Sequence, residues 1–200
     1  MIVGVDFDNT IVCYDKLFYK VALKKRLIPK NLPAIKDEIR NYLREQKKEN
    51  AWTELQGLIY GPRIFYAEPF SGVLDFFAYC KKHKISVYII SHKTRHPFLG
   101  SKHDLHMFAY KWLEEHGFYD LRKTGLSKND VFFELTKEKK LMRIFKQKCT
   151  HYIDDLPEFL SEQKFPPGVK RVLFDPNGKY KNKYGFGYVT SWAEMIKKIK

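Results

Sequence analysis

The chain has 200 residues, 44% of them hydrophobic, and a formal net charge of +14 at neutral pH. That length suits one domain with a modest insertion, and the apolar content is enough for a packed core, which excludes a disordered chain. No apolar run approaches the ~20 residues that span a bilayer, and no basic region precedes the short apolar run Met1 to Val5, so a soluble, cytoplasmic protein without a membrane partner is expected.

Cys13, Cys80 and Cys149 are odd in number, far apart and without a CxxC spacing, which argues against a disulfide framework and against a thiolate zinc site. The positive charge points to an anionic partner but does not select one. Lysines are dispersed in short runs such as Lys24-Lys25, Lys81-Lys82 and Lys197 to Lys200, and such a field attracts a small anionic substrate as readily as a nucleic acid. Nothing in the sequence fixes an oligomeric state.

Taken in chain order, Ile2 to Asp6 reads as a buried strand. From Tyr14 to about Leu58 the pattern is helical, with Leu17, Val21, Leu23 and Leu27 before Pro29 to Pro33, and Ile35, Ile39, Leu43, Trp52, Leu55 and Leu58 after. Gly61-Pro62 and Glu68-Pro69 close this stretch. Val73 to Lys82 reads as an amphipathic helix and Ile85 to Ile90 as a strand ending at Ser91-His92-Lys93-Thr94. A helix over Phe108 to His116, a strand at Val131 to Phe133, a basic helix over Lys137 to Lys146 capped by Thr136, and a strand at Tyr152-Ile153 follow. Val169 to Phe174 forms a last strand, Asp175 to Gly178 a turn, and Trp192 to Ile199 a closing helix.

Strands alternating with helices define an α/β fold, a three-layer arrangement with a Rossmann-like parallel sheet at its core. The helical stretch at 14–67 reads as an insertion above the C-terminal edge of the sheet, leaving 1–13 and 68–200 as the core. The informative residues sit at strand ends. Asp6 and Asp8 alternate in extended chain, so they share a side at the edge where open α/β sheets build their sites. On their own they also fit a turn or a helix cap, with Asn9 and Thr10 as turn residues. A second acidic pair in the same setting, Asp154-Asp155 after Tyr152-Ile153, favours a shared divalent cation, and all-oxygen ligands of this kind select Mg2+.

These motifs resemble the haloacid dehalogenase-like superfamily, whose members are mostly Mg2+-dependent phosphatases. The resemblance covers residues 1 to about 175. Its Asp-x-Asp-x-Thr motif corresponds to Asp6, Asp8 and Thr10, its strand-end Ser or Thr to Ser91, and its final acidic pair to Asp154 and Asp155. The third element is a lysine early in the helix before that pair. Lys137 and Lys140 are the candidates, with Lys137 preferred because it follows Thr136 and precedes Asp155 by eighteen positions. The insertion corresponds to a small helical cap.

What the resemblance implies is a phosphomonoester hydrolase. Asp6 attacks phosphorus and becomes an aspartyl phosphate, and Asp8 is the acid and base. Ser91 holds a phosphoryl oxygen, and Lys137 neutralises the meeting anions. The metal is held by Asp6, the backbone carbonyl of Asp8 and Asp155, with Asp154 acting through water. Members that are dehalogenases lack the second Asp, which disfavours halide chemistry here.

Substrate contacts are expected from Asn9 and Thr10, from Lys140, and from the cationic loop that contains His92, Lys93 and Arg95. Ser91 to Gly117 is loosely similar to the matching part of deoxyribonucleotidases, which usually carry Gly where this chain has Asn9. The expected partner is therefore a small phosphorylated metabolite, a nucleotide or a sugar phosphate. Phosphorylated nucleic-acid ends and a non-catalytic phosphate-binding role stand as alternatives. Tyr14, Phe18, Trp52, Tyr60 and Phe65 fit either stacking on a ligand or, more often for aromatics at helical spacing, a core. His92, His96, His103 and His106 lack thiolate companions and match no common zinc spacing.

Overall fold

The computed structural model describes residues 1–181 and 183–199; Asn182 and Lys200, the latter part of a lysine run noted above, lie outside the described residues. In chain order the elements are β1 (Ile2–Val5), β2 (Val12–Cys13), α1 (Asp15–Lys24), α2 (Lys36–Glu45), α3 (Glu49–Tyr60), β3 (Glu68–Pro69), α4 (Val73–Lys82), β4 (Ser86–His92) and α5 (Leu105–Glu115). They continue with β5 (Val131–Glu134), α6 (Lys137–Lys146), β6 (His151–Asp154), α7 (Pro157–Leu160), β7 (Lys170–Phe174), β8 (Gly187–Val189) and α8 (Trp192–Lys198).

Six strands form one parallel sheet in the order β5-β4-β1-β6-β7-β8. The chain passes from β1 outward through β4 and β5, then returns to β1's other side with β6. The order therefore reverses at β1, and the crevice beyond its C-terminal end is where such sheets place ligands. Register places the buried residues Val3 and Val5 of β1 beside the neighbouring strands. Val3 pairs with Val87 and His151, and Val5 pairs with Ile89 and Ile153.

Alternate residues of the strands feed two cores. On one face Ile90, Tyr152 and Leu173 pack with Leu141 and Ile144 of α6 and Phe159 and Leu160 of α7. Another aromatic core joins Phe76 of α4, Phe174 of β7 and Trp192 of α8, whose rings meet at 4.7 Å and 5.3 Å from the indole. Gly4 serves the first of these. A Cβ there would stand 2.6 Å from Cδ2 of Tyr152, so the bare backbone lets that ring lie against the central strand. The Tyr152 hydroxyl then donates to the Ile90 carbonyl at 2.5 Å.

α6 begins where Thr136 accepts a hydrogen bond from Lys139 N at 3.2 Å, and α8 begins with Ser191 accepting from Glu194 N at 3.2 Å. β4 runs through Ser91 to His92, two residues past the run read from sequence. α7 and β8 were not read from the sequence, because elements of four and three residues carry no period to detect.

The chain divides into two compact units. The first contains 1–12, 69–93 and 113–200 and holds the large sheet. The second contains 13–68 and also 94–112, a segment that the sequence reading left in the core. Packing explains the difference. Trp112 Nε1 donates to the Ala67 carbonyl at 2.8 Å, Phe65 meets Phe108 edge to face at 5.8 Å, and a Cβ on Gly57 would lie 2.7 Å from Pro97. Tyr14, Phe18 and Trp52 are buried in this second unit, with Phe18 stacked on Trp52 at 4.9 Å and Tyr60 against Tyr14 at 5.0 Å. These rings make the unit's own core. No helix among the described residues is long and apolar enough to cross a membrane.

Candidate active site

The first acidic motif leaves the sheet through a tight loop. Asp6 N still donates to Ile153 O of β6 at 2.9 Å. Phe7 then turns into the core, and its carbonyl accepts from both Ile11 N and Val12 N, at 3.0 and 3.1 Å. That closure requires a left-handed residue, which is Asn9 at φ 59°. Asn is among the few non-glycine residues that adopt this conformation readily, so Asn9 supplies the same turn that Gly would. Thr10 is buried, its hydroxyl 3.3 Å from Asp155 Oδ1, and its carbonyl accepts from Trp192 Nε1 at 3.2 Å.

The second acidic motif lies at the end of β6, beside β1. Asp154 is fully buried and occupied on both oxygens: Oδ1 accepts from Leu156 N at 2.9 Å and Oδ2 from Lys140 Nζ at 2.7 Å. The same ammonium lies 2.6 Å from Asp6 Oδ1. Phe159 and Tyr152 box it in, with ring centroids 4.0 and 5.5 Å from Nζ. Burial acts to lower the Lys140 ammonium, but the charges and hydrogen bonds of Asp154 and Asp6 outweigh it and hold the group above the ordinary lysine value. Burial also pushes Asp6 up to about 7, against the pull of Lys140 and with the help of neighbouring Asp154.

Lys137 is not at this cluster. It is the first residue of α6 and is exposed. Helical side chains lean toward the N-terminus, so the side chain of a first-turn residue runs off the helix end into solvent. Lys140 lies one turn deeper, on the buried face with Leu141 and Ile144. Of the two lysines left open by the sequence, Lys140 is the one brought to Asp6 and Asp154, while Lys137, preferred from spacing, stands at the exposed start of α6.

Carboxylate oxygens of Asp6, Asp154 and Asp155 lie within 4.8 Å of one another. A set of oxygen donors that combines anionic charge with one neutralising ammonium fits a hard divalent cation such as Mg2+ better than a soft metal. The Asp8 carboxylate is not in this group. It faces Lys93, whose Nζ is 2.9 Å from Oδ1 and 2.8 Å from Oδ2. Lys93 is itself buried, and so is Ser91 near the end of β4. His92, between them, is exposed. Arg95 belongs to the second unit, where its Nε sits 3.2 Å from Asp104 Oδ2, and His96 Nδ1 lies 3.0 Å from the His103 carbonyl oxygen. Sequence reasoning missed Tyr152 and Phe159 as the walls around the buried ammonium. The signal available was position: Tyr152 is two residues before Asp154 in one strand and so shares its face.

No protein family's sequence pattern matches the chain, and no curated protein matches it significantly in sequence. Solved structures do match along nearly its whole length. A predicted phosphatase from Clostridium acetobutylicum is 16% identical with a TM-score of 0.60, over 99% of this chain and 97% of that one. A phosphoserine phosphohydrolase-like protein from Francisella tularensis is 13% identical with a TM-score of 0.54, over 99% of each chain. A putative haloacid dehalogenase-type hydrolase from Bacillus subtilis, solved bound to magnesium, is 12% identical with a TM-score of 0.52, over 100% of this chain and 98% of that one. The fold is that of the haloacid dehalogenase-like hydrolases and phosphatases, a three-layer α/β architecture on a six-stranded parallel sheet.

Proposed function

We propose that the protein is a Mg2+-dependent phosphomonoester hydrolase that works through an aspartyl phosphate on Asp6. The observation that carries this reading is the buried ammonium of Lys140 bridging Asp6 and Asp154 beside Asp155, at the C-terminal end of the central strand. A carboxylate that must meet a phosphate dianion needs positive charge already in place, and Lys140 provides it without reorganisation.

In the first step an Asp6 oxygen forms a bond to phosphorus while the bond to the leaving oxygen breaks, and Asp8 gives that oxygen its proton. In the second, Asp8 takes a proton from water, whose oxygen bonds to phosphorus as the link to Asp6 breaks, releasing inorganic phosphate. Ser91 donates its hydroxyl to a phosphoryl oxygen. Thr10 steadies Asp155 by the contact between them. Mg2+ would be held by Asp6, Asp155 and the Asp8 backbone carbonyl, with Asp154 acting through water. When bound, it neutralises charge on the phosphoryl oxygens.

The substrate in this reading is a small phosphorylated metabolite in the cytoplasm, a nucleotide or a sugar phosphate. The net charge of +14 keeps one second reading, a phosphatase of nucleic-acid ends. Phosphate release from nucleoside monophosphates, sugar phosphates and 5′- or 3′-phosphorylated oligonucleotides, with and without Mg2+, tests both. The expected result is release from small esters that needs Mg2+ and vanishes in Asp6→Asn. Preference for oligonucleotides, with binding that weakens steeply with salt, would favour the second reading. Release that persists in Asp6→Asn would rule out Asp6 as the nucleophile.

A further inference from the structure

Two lysines are buried among the described residues, Lys140 and Lys93, in a chain whose sequence contains 37 lysines and arginines. Each faces one carboxylate of the first motif: Lys140 reaches Asp6 and Lys93 reaches Asp8. Lys93 follows the motif serine in a cationic loop, and the sequence alone suggests that it grips substrate. Its geometry shows a different commitment. One ammonium lies within hydrogen-bond distance of both Asp8 oxygens, at 2.9 and 2.8 Å. A charge-assisted contact shared between both oxygens tethers the carboxylate head to one place, more strongly than a hydrogen bond between neutral groups does.

Lys93 is anchored at both ends. Its backbone N donates to Glu134 O at the end of β5 at 2.9 Å. Its Nζ lies 5.3 Å from the centroid of Phe7, a fully buried ring held edge to face by Phe133 at 5.3 Å. The Lys93 side chain is only 3% exposed, whereas that of Asp8 is 20% exposed. The pair is therefore rigid on the lysine side and open on the carboxylate side. Buried ion pairs are poor sources of stability compared with apolar packing, so a desolvated lysine at this place needs another reason.

We propose that Lys93 is the positioning residue of Asp8: it holds the carboxylate at the place from which Asp8 passes a proton to the leaving oxygen and later takes one from water. This rests on the reading of Asp8 as the acid and base. It assigns Lys93 an action through Asp8, without direct contact to the substrate. Its effect then depends on how much proton transfer the leaving group needs.

The test compares wild type, Lys93→Met, Lys93→Arg and Asp6→Asn on p-nitrophenyl phosphate, whose leaving group departs without help, and on glycerol phosphate, whose alkoxide needs a proton. Lys93→Met is expected to lower kcat on glycerol phosphate by about 10- to 100-fold, less than the roughly 100- to 10,000-fold that general acid catalysis supplies, because Asp8 is displaced and not removed. KM should change little, the loss on p-nitrophenyl phosphate should be smaller, and Lys93→Arg should recover most of the activity. A raised KM with unchanged kcat would make Lys93 a substrate contact and overturn the proposal, as would equal losses on both esters. Crystal structures of wild type and Lys93→Met give a readout that needs no turnover: the Asp8 carboxylate should shift from its place in the variant, and an unmoved Asp8 overturns the positioning role. Absence of Asp6-dependent turnover in wild type would count against the phosphatase reading, while the crystal structures still decide whether Lys93 holds Asp8.

Discussion

Lys137 and Lys140 are separated by one helical turn, yet one is exposed and the other has two carboxylates and two aromatic rings around its ammonium. Removing the charge of Lys140 leaves Asp6 and Asp154 facing each other without compensation. Lys140→Met is therefore expected to abolish turnover and to destabilise the metal-free protein by about 3–5 kcal/mol, the usual penalty for breaking a buried pair. Lys137→Ala should leave both within ordinary surface-substitution limits, about 0.5 kcal/mol in stability. Phosphate release and thermal denaturation of the two variants check this directly, and activity lost in Lys137→Ala but kept in Lys140→Met would reverse the assignment. The acids of the site were legible in the sequence because two short apolar runs, each read as a strand, end in the same way, in Asp6 and Asp8 and in Asp154-Asp155. The lysine was not, because helical register decides burial within one turn and spacing to the next motif does not report it. Lys93 was legible as a charge near the site, but its partner Asp8 lies 85 positions away, and only the fold brings them together.

At the scale of elements, the site depends on how closely β1 and β6 approach. Gly4 and Tyr152 are register partners in adjacent strands, and the ring that needs the missing Cβ is also one wall around Lys140. Gly4→Ala would place a methyl 2.6 Å from that ring. Overpacking of this kind typically costs about 1–3 kcal/mol. The variant should show a lowered melting temperature together with reduced turnover, whereas a merely structural strain would leave kcat of the folded fraction unchanged. The long helices and the main strands follow from periodicity, and α4 and α6 fall at the boundaries that periodicity sets. The second unit was only half legible. Helices α1 to α3 announce themselves, but 94–112 joins them through long-range contacts such as Trp112 to Ala67, 45 positions apart, which no local pattern encodes.

For the molecule as a whole, pH acts through groups embedded in the sheet. Burial, assisted by Lys170 and the amino terminus, holds His151 of β6 below its ordinary value of 6.5. The fold thus favours the neutral ring, so its contribution to stability is complete above 6.5 and is lost as pH falls through the depressed value. Melting temperature followed from about pH 7.5 to 5 should drop more in wild type than in His151→Gln, since only wild type must bind that proton against the fold. Parallel curves for the two proteins would remove His151 from the acid response.

The central position of β1 also governs how the protein is made. The strand that carries the proposed nucleophile has β4 and β6 as its two neighbours, and both leave the ribosome after it. Until residue 154 has been synthesised, Asp6 has neither its buried ammonium geometry nor the carboxylate opposite, and the β6 edge of an apolar strand waits for its partner. Pairing over such separations is slow compared with local helix formation, and exposed edges invite association between nascent chains. The competence of the site is thus a late event in biogenesis: a nascent chain halted before β6 lacks Asp154 and Asp155 and keeps one edge of β1 open to association.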